Sequence, residues 1–562
     1  MKYIHFLLAG ALCCTSLAAS AQSEASENNE DQKDQKGWLS ASFETNAIIY
    51  RADDKTKATY PEDRIGANNY LKLDYTKGRF TTGLQLESYL PVLQGYPIEL
   101  TGTKLTNLYV QWADKDFTIT GGTFYDQFGS GLLFRAWEDR MLGTNNALLG
   151  ARATYSYKNM INAKVIWGTP RLGMLYDTDT QVRGADLSIG LSEIFGWQNT
   201  SLFVEGSALS RFQKIKPIYK EYVNPNRMGY SARVNFETGG FTAKVEYVDN
   251  GTSYFQETKV DENQEFWGKK GNAQLVELGY NNNGLGIFVT GRRLQWMQSQ
   301  IVMGDTGLGN MINYIPAACL QYTYMLTTLN PYTPQIGTLY SNANKTTYMS
   351  GEIGGQVDVY YAIRKGTALG GKRGMKLHAN FATYYGLEDG KGKVKAQNLL
   401  YRDFNGDFEK WIGRHFKLSM LYSMQEMNHS YGVSRATELS HTVVADMLYK
   451  FNSDYSLRWE LQYLTTKEAQ GDWMAALVEF NVAPKWSVYV SDMYNNRAGR
   501  GSEEGKKTEK LHYYNGGISF AQSHTRLQLS YGRNRAGYVC SGGVCRMMPA
   551  YTGFNFAMTI SF

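Results

Sequence analysis

The last residues of the chain alternate between apolar side chains and small or polar ones. The apolar positions of this stretch are Phe554, Phe556, Met558, Ile560 and Phe562. Because successive side chains of a β-strand point to opposite faces, a period of two predicts a strand with one apolar and one polar face. A chain built from such segments is confined to sheets whose two sides face different surroundings.

The same alternation recurs along most of the chain, for example at 241–247 and 455–463. Many of these segments extend over about ten residues or more, whereas strands of globular sheets usually have about five or six. A tilted strand needs about nine to eleven residues to cross a bilayer. An aromatic content of 14% and only 11 prolines also suit strands at a lipid boundary. The pattern therefore favours a transmembrane sheet over a soluble β-sandwich.

Short and long connections alternate between the predicted strands. Tight turns are predicted near 77–78, 158–159 and 282–283, and the intervening connections are longer. In outer-membrane barrels, short turns are periplasmic and longer loops are extracellular. Both chain ends then lie on the turn side, so the strand number must be even, and this parity is the reason for counting 397–409 as a strand. The predicted fold is all-β: a transmembrane antiparallel up-and-down β-barrel of about 24 strands (about 22–26), with long extracellular or inward-folded loops.

The amino-terminal residues have the features of a secretory signal. Lys2 precedes an apolar run at 6–12, and Ala19-Ser20-Ala21 is a small-residue cleavage site. These features predict a cleaved signal peptide over 1–21. The Cys13-Cys14 pair leaves lipidation as an alternative, although a leucine stands where lipid-modified proteins prefer a small residue.

The remainder of the chain is predicted to form one domain. Residues 22–36 are polar and have no apolar anchor, which predicts a disordered lead-in that is too short for a folded plug domain. The outer-membrane β-barrel is predicted to occupy 37–562. Because the formal net charge of +6 is spread over the whole chain, no nucleic-acid partner is expected.

Residues 125–147 interrupt the alternation and, with the start of the next strand, concentrate charges of both signs. One hypothesis is an inward-folded constriction whose charges select solutes. The alternative is an extracellular loop that packs on the barrel rim through salt bridges. The candidate constriction residues are Arg135, Glu138, Asp139, Arg140 and Arg152.

Residues 297–345 form the second interruption of the pattern. Connections of this length without a regular pattern are usually functional or disordered. Apolar residues, among them Leu320, Tyr322 and Leu326, predict that this segment is ordered. Two interpretations stay open: a partial plug in the barrel mouth, or a surface that binds a protein partner.

Several motifs of the chain are similar to those of a known family. They are Phe124–Leu132, Leu142-Gly143, Asn146-Ala147-Leu148, Asn330-Pro331-Tyr332, Gly351–Asp358 and Tyr401–Asn405. In these motifs the chain resembles a family of large, functionally uncharacterised outer-membrane β-barrel proteins of Gram-negative bacteria. The resemblance covers most of the mature chain and implies an outer-membrane barrel. It implies no catalytic residue.

Motifs of enzymes and metal sites are not found in the sequence. The seven histidines are dispersed, without the spacing of zinc ligands, and there is no Gly-x-Ser-x-Gly elbow or phosphate-binding loop. We therefore expect no catalytic residue, no metal, no cofactor and no enzymatic activity. A lipid hydrolase with serine and histidine on neighbouring strands is a further alternative, because such a site would leave no motif in the sequence.

Two features near the carboxyl terminus point to an exported barrel. Cys540 and Cys545 bracket a short loop, and an oxidising periplasm predicts a disulfide between them. The terminal Phe562 resembles the carboxy-terminal assembly signal of outer-membrane barrels. The expected partners are therefore outer-membrane lipid and, during biogenesis, the barrel-assembly machinery.

The function that the sequence favours is a porin-like or transport channel for polar solutes in the cell outer membrane. If the apolar faces point outward, the inner face carries charged residues such as Lys72, Glu87, Lys244 and Arg458, which suit a water-filled lumen. The alternative is a structural or scaffold barrel of a secretion, assembly or surface complex. In that case 297–345 would hold the protein partner.

Overall fold

A computed structural model describes most of the chain downstream of the predicted leader. The described residues are 36–562 apart from 57, 218–220, 259–263, 303–310, 321, 343–344, 389–397, 435, 468–470, 498–509 and 542–543. The predicted signal peptide 1–21 and lead-in 22–36 lie outside the described residues, except for Lys36. Within the described ranges, no helix is both long and apolar enough to cross a membrane.

Twenty-four long antiparallel strands form one closed barrel. They are β1 (Trp38–Arg51), β2 (Ile65–Lys77), β3 (Phe80–Tyr89), β4 (Gly102–Ala113), β5 (Phe117–Phe124), β6 (Leu148–Tyr157), β7 (Ile161–Leu172), β8 (Thr180–Gly190), β9 (Thr200–Gln213), β10 (Asn226–Thr238), β11 (Phe241–Thr258), β12 (Gln264–Asn282), β13 (Leu285–Gln295), β14 (Lys345–Ile363), β15 (Met375–Glu388), β16 (Leu399–Ile412), β17 (Phe416–Asn428), β18 (Thr437–Lys450), β19 (Tyr455–Thr466), β20 (Asp472–Val482), β21 (Trp486–Arg497), β22 (His512–Gln522), β23 (Thr525–Asn534) and β24 (Tyr551–Ser561). The predicted barrel is confirmed, and the segment retained for parity corresponds to β16.

Each strand pairs with its neighbours in the chain, and β1 also pairs with β24 to close the barrel. The closing register extends from Ser42 opposite Ser561 to Arg51 opposite Thr552. Backbone hydrogen bonds between Ala41 and Phe562 extend this pairing to the last residue. The aromatic ring of Phe562 packs against the cluster that contains Phe43, Met558 and Ile560. Closure leaves no free sheet edge, which a bilayer requires of a spanning sheet.

The outer face of the barrel is apolar and exposed, as β19 illustrates. Tyr455, Leu461 and Tyr463 of this strand are 44%, 55% and 41% exposed, whereas the alternating Glu460 and Gln462 are buried on the inner side. Aromatic pairs flank the turns at the outer face: Trp112 with Phe117, Phe236 with Phe241, Tyr455 with Phe480 and Trp486 with Phe520. An exposed apolar band bordered by aromatic residues is typical of a surface in contact with lipid.

The two ends of the barrel differ in their connections. Short turns at 78–79, 239–240, 283–284 and 523–524 lie at one end, called here the turn end, together with both termini of the barrel. Two turn-end connections are longer, and one contains the single described α-helix of more than one residue, α1 (Leu191–Phe195). The opposite end, called the loop end, carries the longest connections, including 125–147 and 296–344.

An ion pair joins the first loop-end connection to the last two strands. The carboxylate of Asp53 lies 2.6 Å from Arg533 Nε and accepts a hydrogen bond of 2.7 Å from the Thr552 hydroxyl. Burial acts to raise the pKa of Asp53, but the hydrogen bonds from Arg533 and Thr552 outweigh it and lower this pKa below its ordinary value. The ion pair thus stabilises the closing seam of the barrel when Asp53 is ionised.

The exchange Asp53→Asn is expected to lower the free energy of unfolding by about 1 kcal/mol at pH 7. Because the pKa is lowered in the folded state, this stabilisation is present above pH 3.8 and is lost as the pH falls further through the folded pKa. Unfolding curves at pH 7 and near pH 3 measure the difference. Asp54→Asn, at the exposed neighbouring position, is the control and should have no effect at either pH.

Candidate functional site

The described parts of two loop-end connections fold into the barrel interior. We call residues 125–147 the first lumenal segment and residues 297–345 the second lumenal segment. In the first, Ser130 N donates to Glu246 on β11, and Arg140 contacts Glu44 on β1. Because β1 and β11 lie far apart around the wall, a segment that contacts both must cross the interior. The inward-folded alternative of the sequence analysis therefore describes the first segment.

The first lumenal segment approaches the wall at Gly129. This residue has a φ of +52°, and a Cβ atom placed on it would lie 2.4 Å from Arg233 Cδ and 2.7 Å from Glu246 Oε1. Only glycine accommodates both the left-handed backbone and this close contact. Two residues further on, Gly131 N donates to Phe128 O, and Gly131 O accepts a hydrogen bond from Tyr314 N. The glycines of the motif thus let the segment lie against charged wall residues.

Apolar side chains of both segments form a core inside the barrel. Wall residues between β5 and β13 complete it, so this side of the lumen is filled rather than open. The cluster consists of Phe124, Phe128, Leu132, Leu133, Phe134, Ala136, Leu148, Ile166, Val182, Leu209, Val248, Ala273, Leu275, Leu294, Met297, Ile312 and Ile315.

The two lumenal segments also bond to each other. Arg135 N donates to Ile312 O over 2.8 Å, and Tyr314 N donates to Gly131 O over 2.9 Å. The Arg135 guanidinium lies 4.1 Å from the centre of the Tyr314 ring, which packs edge-on against Trp137. The first and second segments therefore form one continuous obstruction.

Tyr332 anchors the second lumenal segment to the wall. Its ring stacks on Tyr401 and Tyr384, with centroid distances of 4.8 and 5.2 Å, and its hydroxyl donates to Glu352. A Cβ atom on Gly354 would lie 2.5 Å from the Tyr384 ring, so glycine is needed for this ring to lie flat. Burial and the Glu352 carboxylate raise the pKa of Tyr332 well above its ordinary value. Three of the motifs that carry the family resemblance meet at this anchor.

The buried pair Arg292–Glu352 lies beneath the same anchor. Arg292 Nη2 is 2.7 Å from Glu352 Oε1, and both side chains are almost fully buried. Arg292 also donates to Pro316 O, and Gln335 N donates to Glu352 Oε2 over 2.7 Å. The wall charges are therefore satisfied partly by the second lumenal segment itself.

The second lumenal segment continues along the far side of the wall. Tyr322 and Tyr324 donate to Asp407 and Asp446, and Leu326 N donates to Gln462 Oε1 over 3.0 Å. At Tyr322, His378 lies between two carboxylates, with Asp407 at 2.6 Å and Asp358 at 3.0 Å. No cluster of three or more metal-binding side chains is found within the described part of the chain.

The predicted constriction residues lie in the lumen but do not form one ring. Arg140 pairs with Glu44 at 2.8 Å and with Glu138 at 3.4 Å, and Glu138 accepts a bond of 2.9 Å from Gln85. Burial opposes the ionised form of Arg140, but Glu138 and Glu44 raise its pKa above the ordinary value. Arg140 and Glu138 are thus bound to each other and to wall residues of β1 and β3.

The other predicted constriction residues have separate partners. Arg152 and Lys164 hold the buried carboxylate of Asp126, at 2.5 and 3.0 Å. Asp139 accepts a bond from Leu142 N, and Arg135 faces the second segment as described above. The candidate set therefore divides into residues that bond to the wall, to the second segment or within the first segment, and its role in selecting solutes stays a prediction.

The sequence analysis did not single out the strongest charge contacts of the lumen. Glu87 on β3 and Arg171 on β7 are each 1% exposed and form a bidentate pair of 2.6 and 2.7 Å. Arg233 is equally buried and binds Asp186 and Glu205 at 2.5 and 2.7 Å. Alternation identifies such residues only as inward-facing. Their partners stand on other strands, and no local signal connects them.

Below the lumenal segments, the inner wall towards the turn end is polar. Between β9 and β13 it forms a recess of about 530 Å³ whose inner-face lining includes Asn235, Lys244 and Glu277. Lys244 and Glu277 form an ion pair of 3.3 Å, and their side chains stay 29% and 44% exposed. Charges that remain exposed inside a barrel indicate a water-accessible wall.

The cysteines of the last connection lie in a hairpin at the loop end. Cys540 and Cys545 are joined by a disulfide between the paired strands β25 (Gly537–Ser541) and β26 (Val544–Met548). The Thr333 hydroxyl of the second lumenal segment lies 3.4 Å from Cys545 Sγ. The hairpin therefore lies beside the obstructed mouth of the barrel.

Three solved structures are similar to the chain in fold. The P pilus usher (PapC) translocation pore has a TM-score of 0.43 and 8% identity, over 93% of this chain and 99% of the usher. The siderophore receptor PirA from Pseudomonas aeruginosa has a TM-score of 0.41 and 8% identity, over 94% of this chain and 81% of the receptor. The copper transporter OprC has a TM-score of 0.42 and 10% identity, over 93% of this chain and 80% of the transporter. No match was found among curated proteins. A family model described as a family of unknown function, DUF6029, matches residues 1–562, so the chain belongs to this uncharacterised family.

Proposed function

We propose that the protein is an outer-membrane channel for polar solutes whose lumen is closed at the loop end by the two lumenal segments. The observation that carries this proposal is the polar, partly exposed inner wall that continues from the lumenal segments to the turn end. A wide barrel encloses more space than its own wall can fill, and exposed charges on that wall suit a water-filled passage. The lumenal segments would act as the gate.

The proposed location is the cell outer membrane. The apolar outer face and its aromatic border supply the surface that lipid would cover. Phe562, which completes the pairing of β24 with β1, would serve as the assembly signal. Lipid and the barrel-assembly machinery are therefore the proposed partners, and no enzymatic activity is proposed.

The charged groups of the first lumenal segment would set the selectivity of the channel. This segment carries Arg135, Glu138, Asp139 and Arg140. Its Asp126 is paired with Arg152, which lies on β6. If the segments move only partly on opening, these charges would border the passage. The passage could then discriminate electrostatically between polar solutes of different charge.

A scaffold barrel is the second candidate, and one observation favours it. The second lumenal segment is held by a buried ion pair and a buried aromatic stack, which suits a permanent plug as well as a gate. In this case the loop-end face of the segment would bind a protein partner. The intact protein distinguishes the two candidates: a gated channel conducts at least intermittently, whereas a plugged scaffold stays silent until the segments are removed.

Replacement of the lumenal segments tests the proposal. Because Trp296 N bonds to Ser350 O and Phe124 stands opposite Leu148, short turns can replace 297–349 and 125–147 without altering the barrel register. In planar bilayers we expect small or intermittent currents from the intact protein. The double replacement should give large, steady single-channel currents, because the obstruction is gone.

A matched control replaces the turn-end connection 364–374, which joins the paired residues Ile363 and Met375, by a similar short turn. It should leave the currents unchanged. Retained heat-modifiability on gels verifies that every variant forms a barrel. If a barrel that lacks both segments stays silent, the channel proposal is wrong. Steady large currents from the intact protein would instead show that no gate is needed.

A further inference from the structure

A second, smaller recess lies at the closing seam of the barrel. It has a volume of about 210 Å³ and is bounded by the inner faces of β1, β23 and β24. The connection 90–101 and the disulfide-closed hairpin 537–548 cover it. The polar residues that line it are Asn46, Gln94, Tyr96, Gln528, Ser530, Arg546 and Asn555.

Arg546 brings a positive charge to this recess. The side chain is about nine-tenths buried, its Nε donates to Met141 O over 2.8 Å, and its guanidinium lies 3.9 Å from the centre of the Tyr96 ring. The Nη1 atom has no hydrogen-bond partner among the described residues. Since a guanidinium stays protonated, the recess contains a fixed cation with an unsatisfied donor.

Gln94 supplies an acceptor of fixed orientation. Its Nε2 donates to Thr59 O over 2.8 Å, and its backbone N donates to the Tyr50 hydroxyl over 3.0 Å. With the amide nitrogen held in this way, Oε1 is the free end, and it has no partner within the described part of the chain. Two residues that line the recess therefore each contain a buried polar atom without a partner among the described residues, which is costly unless a ligand or water satisfies it.

The other lining groups favour an anion over a cation. None of the described lining residues is acidic, and the amides of Asn46, Gln528 and Asn555 can donate as well as accept. The nearby Glu44 carboxylate is already paired with Arg140. At about 30 Å³ for each water molecule, the recess has room for a solute the size of an amino acid or a sugar acid.

We propose that this seam recess binds a small solute that carries an oxyanion, bound by Arg546, and a neighbouring hydroxyl or ammonium group, bound by Gln94. The charge-assisted bond to the guanidinium supplies the preference for anions. Gln94 restricts the orientation of the bound solute. Because the site lies in the wall rather than in the lumenal segments, it does not depend on whether the barrel conducts.

Calorimetric titration of the detergent-solubilised full chain tests the site with three probes: D-glucuronate, L-glutamate and inorganic phosphate. D-Glucose, which matches glucuronate but lacks its carboxylate, is the neutral control ligand. We expect at least one anion to bind, and glucuronate to bind at least about tenfold more tightly than glucose if the anion is a carboxylate. Binding of phosphate alone would assign the site to phosphate-bearing solutes.

Two variants connect binding to the recess. Arg546→Met should weaken anion binding by about 10- to 100-fold. Gln528→Glu, which adds a negative charge at nearly constant shape, should weaken anion binding to a similar extent. Arg51→Met is the matched control, because Arg51 is exposed near the same seam and contacts the outward-facing Phe554. If Arg546→Met does not fold, Gln528→Glu still decides. The proposal is wrong if no anion binds, or if both variants bind like the intact protein.

Discussion

Arg171→Met is expected to lower the free energy of unfolding of the barrel by about 3–5 kcal/mol. The exchange removes both hydrogen bonds of the bidentate pair. The Glu87 carboxylate, which is only 1% exposed, then has no cation beside it. Gln85, Thr106 and Tyr89 still donate to it, so the loss is mainly the uncompensated charge. Methionine fills a similar unbranched volume, which limits the contribution of a cavity.

Equilibrium unfolding by guanidinium in lipid vesicles, followed by tryptophan fluorescence, measures this effect. The control is Arg79→Met, which removes an exposed ion pair with Asp114 of 3.1 Å at the turn end. Exposed pairs contribute about 0–1 kcal/mol, so the control should be close to the intact protein. The double exchange Arg171→Met with Glu87→Leu should recover part of the loss, because no charge then remains buried. A loss below about 1 kcal/mol for Arg171→Met would contradict the argument.

Arg292→Met is expected to release the second lumenal segment while the barrel stays folded. Glu352 then loses its cation beneath the segment, and opening of the segment returns this carboxylate to water. Arg292 also donates to Pro316 O, so a direct anchor of the segment is lost together with the charge balance. A change of about 3–5 kcal/mol in the opening equilibrium corresponds to more than a hundredfold increase in the open population.

Limited chymotrypsin digestion measures this opening, because the segment contains Leu329 and Tyr332, which are buried when it is docked. Cleavage within 311–342 should accelerate by more than about a hundredfold, since cleavage of an opened segment follows its population. The matched control is Arg293→Met on the opposite face of the same strand, where the arginine bonds to the Asn272 and Gln295 side chains. Equal cleavage rates for both variants would show that the buried pair does not hold the segment.

Both exchanges concern charges that the barrel keeps away from lipid and from bulk water. Glu87 and Arg171 connect strands that are not neighbours. Arg292 and Glu352 both lie on the wall, and they hold the second lumenal segment through Pro316, Tyr332 and Gln335. Such pairs are costly to bury, so their retention suits a structure that must hold one defined arrangement. The two experiments separate barrel stability from segment docking, which the proposed gate requires to be independent.

The sequence alone determined the barrel. The apolar alternation and the turn residues are local signals, and they predicted β20 at its observed bounds, 472–482. Parity then identified β16, predicted at 397–409 and observed at Leu399–Ile412, because an odd number of strands cannot return the chain to the turn end. Burial of one face in lipid sets the register of every strand, so pattern was sufficient for the wall.

Only the tertiary structure decided what the barrel contains. The sequence left 125–147 as either a constriction or a rim loop, and 297–345 as either a plug or a partner surface. The choice depends on partners that are remote in the chain, such as Glu246 for Ser130 and Gln462 for Leu326. The seam recess likewise requires Gln94 and Arg546 to meet when the barrel closes. Local periodicity carries no information about such contacts, because they join residues that lie far apart in the chain.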